Sequence, residues 1–171
     1  AAKMMGFSYV FDTNFGADVT IVEEGSELIH RLTTKGSVLP MFTSCCPGWI
    51  NFVERSHSEM IPHISSTKSP HMITGKLIKT YFAERMHIKE SNLYVVSLMP
   101  CVAKKGEVKR MQMLGDVDAV ITAREFAQMV KDFGIEWSTL KDSDFDKLMG
   151  ESTGAASLFG VTGGVTEAAV R

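Results

Sequence analysis

Three cysteines stand in two short segments of similar composition, and their chemistry is the most informative feature of the sequence. The first segment reads TSCCPGW at residues 43–49, and the second reads MPCVAKK at residues 99–105. Each follows an apolar run suited to a buried strand, residues 38–42 and 93–98. Ligands bind outside the carboxyl ends of strands in open α/β sheets, so thiols at both positions can converge on one bound object. Because thiolates select iron–sulfur clusters, zinc or Cu(I), we expect that object to be a metal cluster.

The spacing of the cysteines argues against a disulfide framework. Their number is odd, and Cys45 and Cys46 are adjacent. Cys101 is too far from both for the local C-x-x-C arrangement of a small zinc module. The ligand site must therefore be assembled by folding. An ordinary cubane cluster takes four thiolates, and this chain offers three at most.

Composition limits the class of protein and its partners. A chain of 171 residues with 44% apolar content is long enough to bury a core. Its formal net charge is only −2, so neither nucleic acid nor an anionic membrane surface is indicated as a partner. No apolar run approaches the roughly 18 residues that a transmembrane helix needs. We expect an intracellular protein, cytoplasmic by default, with an organelle left open.

Strands and helices alternate along the sequence. Apolar periodicity predicts a helix that ends near Gly36 and carries Glu24 and Glu27 on its polar face. Pro47 and Pro70 suit the first turns of two further helices, and Gly134 suits the end of a fourth. Strands are predicted at residues 7–11, 38–42, 93–98 and 116–122.

This alternation is typical of βαβ units. We therefore predict an α/β fold with two lobes of parallel sheet, flanked by helices, and with the cluster site in the cleft between the lobes. The first lobe would take roughly residues 1–68, and the second would take residues 69–171.

Several motifs together resemble the catalytic domain of the [FeFe]-hydrogenases. TSCCPGW at residues 43–49 and MPCVAKKGE at residues 99–107 are similar to the first and second signature motifs of that family. Further agreement lies in ADVTIVEEGSEL at residues 17–28, SSTKSP at residues 65–70 and the glycine-rich FGVTGGVTEAA near the end. The combination covers nearly the whole chain and is specific, whereas either cysteine motif alone would be weak.

The resemblance implies a cofactor and its ligands. The family's H-cluster joins a [4Fe–4S] cubane to a two-iron unit that carries CO, cyanide and a bridging azadithiolate. Cys46 and Cys101 would bind the cubane as thiolates. Cys45 would pass protons to the amine of the dithiolate. From Cys45 the proton route would run through Glu27, then Ser65, and then Glu24 toward the surface.

Other residues are implied as neighbours of the two-iron unit. Lys104 would donate a charge-assisted hydrogen bond to an iron-bound cyanide, with Glu107 as the partner that orients Lys104. Met99, Pro70 and His71 would line the pocket. His71 departs from the family pattern, in which many catalytic members carry Gln, and it introduces a group that can titrate near neutral pH.

The resemblance also implies what lies outside this sequence. The family's third motif, which supplies the two remaining cubane cysteines, is absent, and so is the front segment of the catalytic domain. We expect a fragment that is inactive alone. The complete enzyme would interconvert protons, electrons and H₂, exchange electrons with ferredoxin or a similar carrier, and depend on H-cluster maturation proteins.

Two alternatives to a hydrogenase remain open. The first is a hydrogenase-like iron–sulfur assembly scaffold, which keeps cubane ligation without hydrogenase chemistry. Those relatives generally lack the proton-donating cysteine that Cys45 would supply. The second is an H₂-sensing homologue, which the substitution at His71 keeps open.

Overall fold

Two parallel strands, β1 (Val96–Met99) and β2 (Ala119–Thr122), lie side by side in the computed structural model, which describes residues 1–170. Val96 pairs with Ala119, and Met99 pairs with Thr122, so both strands end at the same edge. They confirm the strands predicted at 93–98 and 116–122, with shorter bounds. Within residues 1–170 they form the only sheet.

The chain divides into two units that interleave in sequence. The first unit contains residues 1–12 and 75–150, and the second contains residues 13–74 and those from Glu151 onward. The predicted lobe boundary after residue 68 stays a prediction. Helices that flank a small parallel sheet confirm the α/β class.

The first unit contains the sheet, several short helices and an aromatic cluster. Phe82 is buried, and the rings of Tyr9 and Phe11 meet it edge-on at 4.9 Å. A π-helical turn at Ile78–Phe82 leads into α4 (Ala83–Arg85). The α-helices of the region are the end of α3 (Pro70–Leu77), α4 (Ala83–Arg85), α5 (Lys104–Glu107) and α6 (Ala123–Asp132), with 3₁₀ turns at Ala2–Met5, Glu90–Asn92, Met111–Met113 and Trp137–Thr139.

The strand predicted at residues 7–11 is wrong. The backbone N–H of Val10 donates to the carboxylate of Asp146 at 2.6 Å, and the N–H of Asp146 donates to the carbonyl of Val10 at 2.8 Å. Lys3 pairs with the same carboxylate at 2.6 Å. This segment is therefore held by one acidic side chain rather than by a neighbouring strand.

The second unit is helical. It contains α1 (Asn14–Thr33), α2 (Pro47–Ser56), the first turn of α3, α7 (Gly154–Phe159) and α8 (Gly164–Val170), with a 3₁₀ helix at Ser58–His63. Helix α1 packs against α7 and α8. Pro47 and Pro70 begin helices as predicted, and the hydroxyl of Ser69 accepts the N–H of Met72 at 3.4 Å.

The strand predicted at residues 38–42 is also wrong. Only one isolated parallel bridge forms there, between Phe42 and Ile64. Phe42 donates to the carbonyl of His63 at 2.8 Å and accepts from Ser65 at 2.7 Å. Pro40 has no N–H to extend this pairing. The bridge nevertheless ties the cysteine turn to the segment that carries Ser65.

Helix α1 buries the face that its sequence marks as polar. Glu24 is only 1% exposed, and Ala17 and Thr20 are buried on the same side. Val22 and Ile29 are instead exposed. The apolar periodicity found the helix but assigned its buried side wrongly, because a partner outside the helix, the backbone N–H of Ser44, bonds one oxygen of Glu24.

Gly16 sets how closely α1 approaches α3. A Cβ atom at this position would lie 2.4 Å from the carbonyl oxygen of Pro70 and 2.2 Å from Oγ1 of Thr74. Only a residue without a side chain allows this approach. The contact fixes the start of α3, and with it Pro70 and His71, against α1.

No helix within residues 1–170 combines the length and the apolar character that crossing a bilayer requires.

We predict that Gly16→Ala destabilises the full-length protein by about 1–3 kcal/mol, because the backbone of Pro70 must move. Gly25→Ala in the same helix is the matched control, since its Cβ would meet only the carbonyl oxygen of Ala169 at 3.9 Å. That control should be neutral or stabilising by up to about 1 kcal/mol. Urea unfolding measures both variants, and equal stabilities would contradict the close approach.

Candidate functional site

The cysteine turn is anchored by the N-terminus of α2. Cys46 is the N-cap residue, with an extended backbone, and its Sγ accepts the N–H of Trp49 at 3.4 Å. Pro47 supplies the first helical residue, as the sequence indicates. Cys46 is exposed and Cys45 is partly exposed. The turn thus presents the Cys46 thiol at a helix N-terminus that already donates to it.

Glu24 lies buried beside this turn. Its Oε1 accepts the backbone N–H of Ser44 at 3.2 Å, whereas its buried Oε2 makes no hydrogen bond within residues 1–170. Burial raises the pKa of Glu24 above its usual value of 4.5, and the charge of Glu27 adds to the rise. The hydrogen bond from the backbone N–H of Ser44, helped by the hydroxyls of Ser65 and Ser44, only partly opposes this rise. Glu24 is therefore a carboxyl group suited to hold a proton.

Glu27 has the opposite electrostatic environment. Its Oε2 accepts the hydroxyl of Ser65 at 2.7 Å and the N–H of Ser66 at 2.9 Å. Its Oε1 pairs with the guanidinium of Arg31 at 2.6 Å. Partial burial acts to raise the pKa of Glu27, but the hydrogen bonds from Ser65, Arg31 and Ser66 outweigh it and lower that pKa. Glu27 is therefore the ionised member of the pair.

Ser65 acts on the electrostatics of both carboxyl groups, since its hydroxyl lowers the pKa of Glu27 and partly opposes the rise in the pKa of Glu24. It is buried, donates to Glu27 and accepts the N–H of Thr67 at 3.1 Å. Glu24, Glu27, Ser44 and Ser65 form what we call the carboxylate cluster.

The burial of the two carboxylates runs opposite to their order in the predicted proton route. Glu24 is 1% exposed and bonds to the residue before Cys45, whereas the side chain of Glu27 is 17% exposed. Glu24 is therefore the inner carboxylate and Glu27 the outer one. The sequence could not decide this order, because residues three apart on a helix are equivalent by spacing alone.

The sequence analysis did not identify two residues that contact Glu24 and Glu27, namely Arg31 and Ser44. Arg31 pairs with Glu27 and also donates to the carbonyls of Pro62 at 3.1 Å and Ile64 at 2.9 Å. Its position four residues after Glu27 was an available signal. Ser44 acts through its backbone N–H and through a hydroxyl that donates to the carbonyl of Thr67. No sequence pattern reveals a backbone donor of this kind.

The predicted pocket residues fall in both units. Pro70 and His71 are buried at the start of α3 in the second unit. Met99 ends β1 in the first unit, and Cys101 follows it as an exposed thiol. The convergence of Cys46 and Cys101 stays a prediction.

Lys104 and Glu107 form a shielded ion pair on α5. Lys104 Nζ lies 2.9 Å from Glu107 Oε2, and their side chains are 14% and 4% exposed. A lysine held in this way keeps a cationic donor in a fixed position next to the Cys101 turn.

The donor set suits an iron–sulfur cofactor. All three cysteines lie outside disulfides, and thiolates are the ligands that such clusters prefer. Within residues 1–170, no group of three or more His, Cys, Asp and Glu side chains is arranged to hold a metal ion.

We predict that removing the carboxyl group of Glu24 and removing that of Glu27 have opposite effects on the free energy of unfolding. The raised pKa of Glu24 makes the folded protein lose stability as pH rises from 4.5 through the folded-state pKa, so Glu24→Gln should be more stable than wild type at neutral pH. A tenfold difference in proton affinity between the folded and unfolded states corresponds to about 1.4 kcal/mol. The lowered pKa of Glu27 stabilises the fold above pH 4.5, so Glu27→Gln should be less stable at neutral pH.

Thermal unfolding of the full-length variants between about pH 3.5 and about pH 8 checks these signs. The Glu24 difference should shrink as pH falls from the folded-state pKa of Glu24 to 4.5, and the Glu27 difference should shrink as pH falls from 4.5 through the folded-state pKa of Glu27. A destabilised Glu24→Gln at neutral pH would show that Glu24 is ionised in the fold.

Comparison with known proteins assigns the family. The model of the iron-only hydrogenase large subunit, C-terminal domain, matches residues 1–171. All of the chain aligns with the periplasmic [Fe] hydrogenase large subunit of Nitratidesulfovibrio vulgaris at 52% identity, covering 42% of that protein. All of it also aligns with iron hydrogenase 1 of Clostridium pasteurianum at 48% identity, covering 30%. The chain thus spans less than half the length of these relatives.

Solved structures and a second class of relatives complete the comparison. A variant of the [FeFe]-hydrogenase HydA1 from Chlamydomonas reinhardtii superposes with a TM-score of 0.85 at 46% identity, covering 99% of this chain and 43% of that one. The cytosolic Fe-S cluster assembly factor narfl of Xenopus tropicalis is 38% identical over 88% of this chain and 34% of its own length. The match of the family model over every residue shows that this chain belongs to the iron-only hydrogenase large subunit family, as part of its C-terminal domain.

Proposed function

We propose that this chain contributes to the active site of an [FeFe]-hydrogenase that reversibly reduces protons to H₂. The carboxylate cluster beside the Cys45 turn is the observation that carries the proposal. It places a buried carboxyl of raised pKa and an outer carboxylate of lowered pKa beside one serine hydroxyl, which donates to the outer one. Such a pair of unlike carboxyls is what a proton-transfer site needs.

The proposed cofactor is the H-cluster, a [4Fe–4S] cubane with a two-iron unit that carries CO, cyanide and azadithiolate. When bound, it would supply the redox chemistry and the site of H₂ formation. Cys46 and Cys101 are the proposed cubane ligands in this chain. Both thiols are exposed, and the Cys46 Sγ sits where an N–H donor supports a thiolate.

We assign the proton route to Cys45, Glu24, Ser65 and Glu27, in that order from the inside. Protonated Glu24 would donate to Ser65 while the Ser65 hydroxyl passes its own proton to Glu27. The orientation supports this transfer, because Ser65 already donates to Glu27 at 2.7 Å. Glu27 then exchanges protons with solvent, since its side chain is the more exposed of the two.

Arg31 keeps the outer end of the route in place. It pairs with Glu27 and donates to two backbone carbonyls, so Glu27 cannot swing away from Ser65 without breaking these contacts. The same pairing favours ionised Glu27, which is the form that accepts a proton.

Lys104, Met99, Pro70 and His71 are the proposed surroundings of the two-iron unit. Glu107 holds Lys104 in a shielded position, which suits a charged donor to an anionic cyanide. Buried His71 places an imidazole at the start of α3, and its partners there would tune the polarity of the pocket.

A non-catalytic assembly scaffold is the second candidate, supported by the narfl relative. A scaffold needs thiolate ligands but no proton route. Cys45 and the carboxylate cluster therefore favour a catalyst or an H₂ sensor. Activity is assigned to the complete protein, together with a ferredoxin-like electron carrier and maturation proteins.

Infrared spectroscopy of the matured full-length protein tests the function. Iron-bound CO and cyanide absorb in a region where other protein groups are nearly silent. Bands there support a hydrogenase-type cofactor, and their absence in iron-loaded protein would favour the scaffold. Assays of H₂ evolution and uptake then separate a catalyst from a sensor.

We predict that Cys45→Ala retains wild-type iron content but lowers H₂ turnover by at least about 100-fold, because a proton-transfer group is lost. Cys101→Ala should instead lose iron, because a cubane ligand is lost. Iron analysis and H₂ evolution distinguish the two roles. Near-normal turnover by Cys45→Ala would remove Cys45 from the route, and unchanged iron in Cys101→Ala would remove Cys101 from the ligand set.

A further inference from the structure

Two consecutive lysines after Cys101 are paired with different carboxylates. Lys104 is bound to Glu107 within α5, where both side chains are shielded. Lys105 lies 2.5 Å from Glu125 of α6, and these side chains are 40% and 48% exposed. Of these two neighbouring lysines, Lys104 is therefore shielded from solvent and Lys105 is partly exposed.

Contacts other than the one with Lys105 already hold Glu125 in place. Its Oε2 accepts the backbone N–H of Thr122 at 2.7 Å and the Thr122 hydroxyl at 3.0 Å, while its own N–H donates to that hydroxyl at 3.2 Å. This is the capping box that starts α6. Exposed ion pairs are usually weak, partly because both side chains must be ordered. Here the ordering of Glu125 is already supplied by the helix cap.

The electrostatics agree with this geometry. The hydrogen bond from Lys105, together with those from Thr122, lowers the pKa of Glu125 to about 2. Glu125 is therefore ionised throughout the neutral range.

The ion pair closes a ring around the Cys101 turn. Met99 and Thr122 are partners at the end of the parallel strands. The chain leaves Met99 through Cys101 to Lys105, and it leaves Thr122 directly into α6. The Lys105–Glu125 contact connects the two segments that leave the sheet. The Cys101 turn is therefore held by strand pairing before it and by α6 after it.

We propose that the Lys105–Glu125 ion pair is a positioning lock that keeps Lys104 against Glu107 and holds the Cys101 turn in one orientation. Lys104 is three residues before Glu107 and shares its face of the helical turn, whereas Lys105 is two residues before Glu107 and does not. Placing Lys105 inside would require rotation of the turn, which the contact to Glu125 prevents. The importance of this lock for a cofactor rests on the function proposed above.

Hydrogen exchange in the iron-free full-length protein tests the lock itself. The amides of Gly106 and Glu107 donate to the carbonyl of Ala103 at 2.9 and 3.2 Å and report on the turn. Lys105→Met and Glu125→Gln should each speed their exchange about threefold, as loss of an exposed ion pair with one pre-ordered member implies. Gln at position 125 keeps the acceptor of the capping box, so α6 should stay intact.

Three further variants sharpen this test. The double variant should exchange no faster than either single variant, because both remove the same contact. Lys105→Arg should restore wild-type exchange. Lys109→Met, which removes a charge just beyond α5, should leave exchange unchanged. Unchanged exchange in both single variants, additive effects in the double variant, or an equal effect of Lys109→Met would each overturn the lock.

Infrared spectra of the iron-loaded protein test its effect on the cofactor site. Lys105→Met and Glu125→Gln should broaden or shift the cyanide bands, while Lys105→Arg and Lys109→Met keep the wild-type spectrum. Faster exchange with unchanged bands would overturn the positioning role. Wild-type protein without such bands would refute the proposed function instead, and the exchange measurement would still decide whether the lock exists.

Discussion

The burial of Glu24 beside the cysteine turn is the constraint on which the candidate site depends. A carboxyl group in this position is costly unless it is protonated or well bonded, and only one of its oxygens is bonded within residues 1–170, to the N–H of Ser44. That bond links α1 to the residue before Cys45. The same buried group therefore joins the helix to the turn and provides a place where a proton can reside.

Several contacts keep Glu24 and Glu27 in different environments. Gly16 brings α1 close to the start of α3, and the Phe42–Ile64 bridge ties the cysteine turn to the segment of Ser65. Arg31 fastens that segment to Glu27 from the outer side. Burial raises the pKa of Glu24, whereas the hydrogen bonds from Ser65, Arg31 and Ser66 outweigh partial burial and lower the pKa of Glu27.

The first unit uses a different principle to present its thiol. Cys101 follows a strand whose end is paired with Thr122, and the next turn is held by two separate ion pairs. Backbone pairing fixes where the turn begins, and side-chain charges fix which lysine is shielded. One unit thus controls proton affinity by burial, while the other controls the orientation of a donor by charge pairing.

The sequence alone determined the family, the cysteine segments, the helix starts at Pro47 and Pro70, and the strands of the sheet, because these features depend on local motifs and apolar periodicity. Only the tertiary structure decided that residues 7–11 and 38–42 are not strands, since Asp146 and a single bridge replace their pairing. It also decided that Glu24 is the inner carboxylate and that Arg31 and Ser44 complete the site. Burial and bonds to backbone groups arise from contacts between distant segments, and residue spacing within one helix carries no information about them.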